Sequence, residues 1–382
     1  MANIFNIIYS NDAGHAAVVY LHKKLCAFLE EDGKHKVTHV VLNGTKEGLS
    51  ISDDDNVIYL GLAKREVKGK TILGRFSTCL KLKKLFLERK VDLIICDGFG
   101  VLGPISRVYE KQNRRPYIIS IIHGTAFPRK GYVKNVIAML NSKSCLLVGV
   151  SNFVHSHLIK KFPQFYHQSI KYVNNGVDFS EISNALLPRS DARSALGIDE
   201  GAFVVGTIGR LAEVKRHGTI IEAVNILKGE GKLSDNFKLV IIGDGSLYSH
   251  YQKEINKYGI NEYVTLCGHL QEARRYLRAL DLYVMASDGE GFGIAVLEAM
   301  AARLPVLLSD SDSFVTMIPD ERFLFPVNNA FELSEKIVKV MKGEEGYSNV
   351  DMSKSVYDYA SSEFGIEKFC ESYSCIIDDV LR

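Results

Sequence analysis

Long apolar runs are missing from this 382-residue chain. The longest uncharged stretch, Ser144 to Ile159, is interrupted by serine, asparagine and histidine. It falls short of the roughly 18–20 apolar residues that a membrane-crossing helix needs. The first thirty residues lack the basic start, apolar run and small-residue cleavage site of a secretion signal. Cysteine is sparse: Cys26, Cys79, Cys96, Cys145, Cys267, Cys370 and Cys375 are an odd set of seven without a C-x-x-C pair. That argues against a disulfide framework and a zinc knuckle, and sets the expectation of a reducing cytosol. Low-complexity tracts and short repeats do not occur. Secreted, collagenous, coiled-coil and integral-membrane readings fall away. What is present is a chain 46% apolar and 24% charged, able to bury full cores and long enough for about two domains at roughly 150 residues each.

The net charge of +2 conceals a division. Residues 1–180 hold 26 Lys and Arg against 14 Asp and Glu, and the remainder holds 21 against 31. Such asymmetry points to two domains with different partners. A basic half attracts phosphate-bearing molecules, although scattered surface charge is also ordinary solvation. One segment stands out. Between Ile72 and Lys90, Leu73, Phe76, Leu80, Leu85 and Phe86 alternate with Arg75, Lys81, Lys83, Lys84, Arg89 and Lys90. This predicts a basic amphipathic helix, suited either to an anionic membrane surface or to covering a sheet.

Strand-like and helix-like segments alternate along the chain. Short runs rich in Val, Ile, Leu and Tyr occur at Ile4–Tyr9, Val37–Leu42, Val57–Leu60, Leu93–Cys96, Tyr117–Ile122 and Cys145–Val150. Helical patterns fall between them at Ala16–Glu30, Leu73–Lys90, Tyr132–Ser142 and Phe153–Lys161. The second half repeats the scheme, with strands at Phe203–Ile208, Lys238–Ile242, Tyr263–Cys267, Leu282–Ala286 and Pro305–Ser309. Its helices are expected at Lys215–Lys228, Leu247–Lys257, Glu272–Leu280, Gly293–Ala302 and Ala330–Met341. Continuous apolar strands imply sheets buried on both faces, and strand–helix repetition makes them parallel. The polar stretch Phe179–Gly201 reads as a connection. The expected fold is α/β, with two doubly wound Rossmann-like domains facing across a cleft. The first spans 1–180 and the second 181–364, with a C-terminal helix, about 365–382, packing back on the first. Ligands of such sheets sit beyond the carboxyl ends of the strands.

The most informative segment runs from Leu282 to Glu298. A strand ends at Ala286, and a turn with Gly289, Gly291 and Gly293 leads into a helix. Glycines let the backbone approach a ligand, and free amides at a helix start suit a phosphate. Glu290 lies in the turn and Glu298 in the helix, roughly 12 Å apart if the path is helical throughout, too far to share one small polar group. They are placed to accept hydrogen bonds from two ends of an extended, hydroxyl-bearing ligand. Taken alone, Glu298 would read as a solvent-facing helix former; the glycine turn and Glu290 favour a site.

These residues resemble the E-x7-E signature of retaining glycosyltransferases, above all glycosyltransferase family 4 with the GT-B fold. Gly206-Thr-Ile-Gly-Arg-Leu211 followed by Lys215 is similar to the family's strand-end arginine and nearby lysine. Ile242-Gly-Asp-Gly245, Asn175-Gly-Val-Asp178, Val150-Ser151 and His123-Gly124 match further motifs in the expected order. The likeness is strong over about 200–310 and weaker over the first half. Three positions depart from the pattern: Asn11-Asp-Ala-Gly14-His15 has one glycine where two adjacent ones are common, Ala286 stands in place of proline, and Arg303 in place of glycine.

The resemblance implies a transferase moving a sugar from a nucleoside-diphosphate donor, expected to be a UDP-sugar, onto a glycan or glycolipid. Bacterial lipopolysaccharide or other envelope polysaccharide is the expected setting. It implies His123, Glu290, Arg210 and Lys215 as catalytic residues. Arg210 and Lys215 would neutralise the diphosphate in place of a metal ion, so neither metal nor cofactor is expected. Donor binding would also use Gly243, Gly291, Phe292, Gly293, Ile294 and Glu298, the last on the ribose. Asp12, Gly14, His15 and Asp97 are the acceptor-side candidates. His123 would hold a sugar hydroxyl, and the leaving phosphate would help deprotonate the acceptor during same-face attack. The implied location is cytoplasmic, possible peripheral contact with anionic membrane on its inner face included; the basic half lacks a nucleic-acid motif.

Bland readings stand beside these. Lys215 can be a surface charge, His123 a satisfied core histidine, and Gly243-Asp-Gly245 a plain strand-ending turn. Asp97 and His15 can be caps. His155 and His157 face different sides of a helix and do not form a metal pair. Arg114-Arg115 and Arg129-Lys130 read most simply as solvated charge. A nucleotide-sugar 2-epimerase on the same fold and a non-catalytic sugar-binding scaffold remain alternatives, separated from a transferase by acceptor dependence.

Overall fold

A computed structural model describes the chain except for residues 13–15, 32, 49–55, 68–71, 111–114, 126–127, 129–131 and 319. Gly14, His15, Arg114, Arg129 and Lys130 therefore lie outside the described residues. The chain divides into two units, Met1–Gly176 with Ile366–Arg382, and Val177–Gly365. The break falls four residues before position 180.

In the first unit the order is β1 (Ala2–Ser10), α1 (Ala16–Glu31), β2 (His35–Asn43), β3 (Val57–Tyr59), α2 (Lys64–Val67), α3 (Ile72–Glu88), β4 (Leu93–Asp97) and α4 (Gly98–Val108). It continues with β5 (Tyr117–Ile122), α5 (Val133–Asn141), β6 (Cys145–Gly149), α6 (Asn152–Lys161), α7 (Tyr166–Ser169) and β7 (Ile170–Tyr172). Among the described residues these strands form a seven-stranded sheet in the order β3-β2-β1-β4-β5-β6-β7. Every pairing is parallel, as in Ile4 against Val37 and Leu93. Ile94, Ile95, Ile118, Ile119, Leu147 and Val148 are buried, because helices cover both faces and successive side chains point to opposite ones.

The second unit holds α8 (Phe179–Ala185), α9 (Arg189–Leu196), β8 (Phe203–Ile208), α10 (His217–Gly229), β9 (Phe237–Ile242), α11 (Tyr248–Tyr258) and β10 (Val264–Gly268). Then come β11 (Leu282–Met285), α12 (Ile294–Ala301), β12 (Val306–Ser309), β13 (Leu324–Phe325), α13 (Ala330–Lys342) and α14 (Asn349–Glu363). Its six-stranded sheet, again among described residues, has the order β10-β9-β8-β11-β12-β13 and is parallel throughout. The order turns back between β8 and β11, which opens a crevice at the carboxyl ends of those two strands. The final helix, α15 (Ile366–Leu381), belongs to the first unit, where it contacts α1.

The stretch 179–201 is not a plain connection: it forms α8 and α9. Asp178 caps α8 by accepting from the Glu181 amide at 2.8 Å. Arg193, polar in the sequence, is fully buried. Its guanidinium donates to the carbonyls of Ala279, Asp199 and Ala202 and pairs with Asp281 at 2.9 Å. A charge so completely hydrogen-bonded can be interior. The helix expected over Glu272–Leu280 is a 3-10 segment, Ala273–Ala279.

Candidate active site

In the second unit the site assembles at the crevice between β8 and β11. After β8 the chain runs on as Gly209-Arg210-Leu211, held by Gly209 N–H to Ile242 O at 3.0 Å and Leu211 N–H to Asp244 O at 3.0 Å. Gly243 has φ 152°, and a Cβ there would stand 2.0 Å from the Gly209 carbonyl oxygen. The glycine is therefore needed for close passage of two chains. Arg210 is exposed, and among the described residues its guanidinium has no ion-pair partner. Lys215 ends a short 3-10 turn, Glu213–Lys215.

Beyond β11 the glycine turn folds against that segment. The Asp288 amide donates to Val214 O at 2.8 Å, and Arg216 pairs with Asp288 at 3.0 Å. These links bring Lys215 into an ion pair with Glu290, both side chains 18% exposed. Ser287 donates its hydroxyl to the same Glu290 oxygen at 2.9 Å. Ser313 grips the Glu290 backbone from both sides, accepting from its N–H at 2.9 Å and donating to its carbonyl at 2.7 Å. Ser309 ties the turn down through Ser287 O at 2.6 Å. Gly289, at φ 103°, supplies the bend.

Gly291 and Phe292 complete the turn, and Phe292 is buried with its ring edge-on to Phe364. Gly293 precedes α12, and a Cβ there would meet the Phe314 ring at 2.9 Å. Ile294 opens the helix without a side-chain cap, so its first amides and positive dipole end are available to an anion. Glu298 lies one turn in, 4.0 Å from Arg274, which is also 3.9 Å from Glu181. Burial pushes the Glu298 carboxyl up to about 7, opposed by Arg274. The buried Tyr283 phenol lies in the field of both glutamates, and burial followed by Glu298 and Glu290 raises its pKa. His217 opens α10, stacked on Tyr251, with both ring nitrogens unpartnered among the described residues. Burial, then Lys215, lowers it to about 4.

In the first unit, the ends of adjacent strands β4 and β5 bring Asp97 and His123 together, Oδ1 to Nε2 at 3.4 Å. Behind His123 lies a buried polar chain. The His22 ring is 6.3 Å from the His123 ring, centroid to centroid. Asn6 on β1 bonds His22 Nδ1 through its oxygen and His39 Nδ1 through its nitrogen, the latter at 3.0 Å. Burial holds His22 down to about 3 and His39 to about 4. Asp12 lies 4.0 Å from Lys64.

Sequence reasoning missed Ser287, Ser309, Ser313, Arg274 and the Asn6–His22–His39 chain. Serines at strand ends carry no spacing signal, and a histidine on an apolar strand reads as core. Among the described residues no three His, Cys, Asp or Glu side chains cluster as a metal set.

Two parallel sheets of this topology define the class: both units are built as in GT-B glycosyltransferases. A glycosyltransferase from Rickettsia africae aligns over 100% of this chain and 99% of its own, with TM-score 0.81 at 16% identity. The Anabaena protein Alr3699/HepE, solved in complex with UDP, gives 0.74 at 17% identity, covering 99% of this chain and all of that one. Residues 188–358 match the family model described as Glycosyl transferases group 1. That match lies wholly within the second unit, where the chain is similar to the group 1 glycosyltransferases. It is 25% identical over 312 residues to the Escherichia coli UDP-Gal:alpha-D-GlcNAc-diphosphoundecaprenol alpha-1,3-galactosyltransferase, covering 78% of each chain. A Staphylococcus aureus poly(ribitol-phosphate) alpha-N-acetylglucosaminyltransferase is 24% identical over 75% of this chain and 55% of its own.

Proposed function

We propose that this protein is a retaining glycosyltransferase that moves a sugar from a UDP-sugar to a glycan or glycolipid acceptor of a bacterial envelope. The observation that carries the reading is the Lys215–Glu290 ion pair across the β8/β11 crevice, with Arg210 following β8 and the uncapped α12, which bears Glu298, following β11. Arg210, Lys215 and those amides bind the diphosphate and stabilise the charge it gains as the anomeric C–O bond breaks. Glu298 accepts from the ribose hydroxyls and Glu290 from a hydroxyl of the transferred sugar. In the first unit, the family resemblance assigns His123, beside Asp97, to a sugar hydroxyl and Asp12 to the acceptor. The acceptor oxygen bonds the anomeric carbon on the face the phosphate leaves, and its proton passes to that phosphate. The α-linked products named for the relatives support retention, because common UDP-hexoses are themselves α-linked. Arg210 and Lys215 are assigned the diphosphate charge that a metal would otherwise balance, so the reaction is expected to survive EDTA.

Helix α3 supports a membrane-bound acceptor. Leu82 and Leu85 face the core, whereas Leu73, Phe76, Leu80 and Leu87 are 81, 68, 56 and 73% exposed. At 100° per residue these four fall within a stripe roughly 60° wide, flanked by Lys83 and Lys84. The helix thus carries two apolar faces, and Leu85, grouped with Leu73 by sequence, lies on the inner one. An apolar stripe edged by cations complements an anionic bilayer. This would place the enzyme in the cytoplasm on the inner membrane face; among the described residues, no helix is long and apolar enough to cross a membrane.

Incubation with UDP-glucose, UDP-galactose and UDP-N-acetylglucosamine, with and without lipid-linked acceptors, tests the activity. Release of UDP that depends on acceptor and falls at least 100-fold in Arg210→Ala supports it; acceptor-independent epimerisation, or no turnover with any donor, refutes it. Sedimentation with anionic vesicles should be lost in Phe76→Asp and weakened by salt; equal binding in both variants and salts removes the membrane role.

A further inference from the structure

The second unit has another cationic cavity, at the amino-terminal edge of its sheet. It has a volume of about 370 Å³ and is lined by Arg189, Arg278 and Arg303 with Asp281, Leu304 and Asn349. Arg278 and Asp281 precede β11, Arg303 and Leu304 precede β12, Arg189 opens α9 and Asn349 opens α14, whereas the glycine turn follows β11. Four residues of β11 at about 3.3 Å each separate the two edges by roughly 13 Å, so this cavity is distinct from the proposed donor site.

Its charge is unbalanced. Asp281 is the one acidic side chain lining it, and it is already engaged: Oδ1 pairs with Arg189 at 2.5 Å, while Oδ2 accepts from Arg193 at 2.9 Å and the Val204 amide at 2.8 Å. Arg278 donates to the Ser183 carbonyl at 3.2 Å. The Arg303 guanidinium lies 3.6 Å from the Tyr357 ring centroid. Among the described residues, neither Arg278 nor Arg303 has a carboxylate partner. Asn349, on the first turn of the 15-residue α14, lines the cavity and has an amide oxygen without a partner among the described residues. Its NH₂ is a donor for a ligand.

The backbone at Arg303 adds an independent observation. Leu304 N–H bonds Ala299 O at 3.1 Å and Arg303 N–H bonds Met300 O at 3.0 Å, closing α12 with Arg303 in the left-handed region at φ 59°. Glycine is the usual residue at that point of such a cap. An arginine there carries backbone strain of order 1 kcal/mol, and its side chain lines the cavity beside Tyr357.

We propose that this cavity is a second anion site, taking a small soluble molecule with a phosphoryl group. Arg278, Arg303 and the Asn349 amide hold the phosphoryl oxygens, and Leu280, Leu304 and Pro305 form an apolar wall for its carbon skeleton. The volume suits a sugar phosphate or nucleoside monophosphate and excludes a folded partner.

Isothermal titration of the full chain with inorganic pyrophosphate, and separately with glucose 1-phosphate, tests this in wild type, Arg210→Ala, Arg303→Lys and Arg303→Gly. Arg303→Gly places the most compatible residue at φ 59°, so the fold is retained, as its melting temperature will report. The proposal expects one binding event to survive Arg210→Ala and to weaken at least fivefold in Arg303→Gly, with Arg303→Lys intermediate. Loss of all binding in Arg210→Ala, or unchanged titration of Arg303→Gly, overturns it.

Discussion

Lys215 and Glu290, 75 residues apart in the chain, form an ion pair across the crevice between β8 and β11. The cation assigned to the diphosphate is therefore also the partner of the carboxylate assigned to the sugar. Each is only 18% exposed, so removing one leaves the other sheltered and unbalanced. Lys215→Ala and Glu290→Ala should each cost about 1–3 kcal/mol of stability, and the double variant clearly less than their sum. Urea titrations of all four proteins measure the coupling; strict additivity would contradict the pair.

Glu298 gives the donor site a pH dependence. Its carboxyl is raised to about 7 by burial, so it is largely protonated at pH 6 and largely ionised at pH 8. Ribose hydroxyls donate best to the ionised form. Affinity for UDP-glucose, whose diphosphate does not titrate in this range, should rise several-fold from pH 6 to 8. The slope should vanish in Glu298→Gln. Calorimetry at three pH values decides, and a slope that persists in Glu298→Gln assigns the effect elsewhere.

Buried histidines make the protein acid-sensitive. His22 is held to about 3, and His39 and His217 to about 4, against 6.5 in an unfolded chain. Above pH 6.5 all three are neutral in both states and contribute no pH dependence. As pH falls below 6.5, the unfolded chain takes up protons that the folded one refuses, and stability is lost. About 1–2 kcal/mol per histidine should be gone at pH 5. Denaturation at pH 7 and pH 5 checks this; equal midpoints would contradict it.

Asn6 serves two of those rings at once. Asn6→Leu should destabilise by about 2–4 kcal/mol, because two buried ring nitrogens lose their partner. A melting temperature within a degree of wild type would show that the chain Asn6–His22–His39 contributes little.

The strand pattern was legible because sheet burial leaves continuous apolar runs: Tyr117–Ile122 and Phe203–Ile208 coincide with the expected strands. The three-residue β7 and the two-residue β13 are too short to show a pattern. Helix α4 was hidden by Gly98, Gly100, Gly103 and Pro104, and is formed by packing instead. At the candidate site, the glycine turn with Glu290 and Glu298 stood out in the sequence itself, whereas Arg210 and Lys215 were singled out by the family resemblance of their segment. The clasp of Ser287 and Ser313 was not, since it depends on where two loops meet in space. Arg193 shows the opposite failure: a charged residue in a polar stretch proved interior because neighbouring carbonyls satisfy it.

Helix α15 covers α1 with Ile366, Phe369, Cys370, Tyr373, Ile376 and Ile377. Residues 366–382 are thus part of the hydrophobic interior of a unit whose other residues, 1–176, lie far away in sequence. During synthesis residues 1–176 wait, with an apolar flank uncovered, until the second unit and α15 have followed. Expression of positions 1–176 alone would leave that flank permanently bare and prone to aggregation.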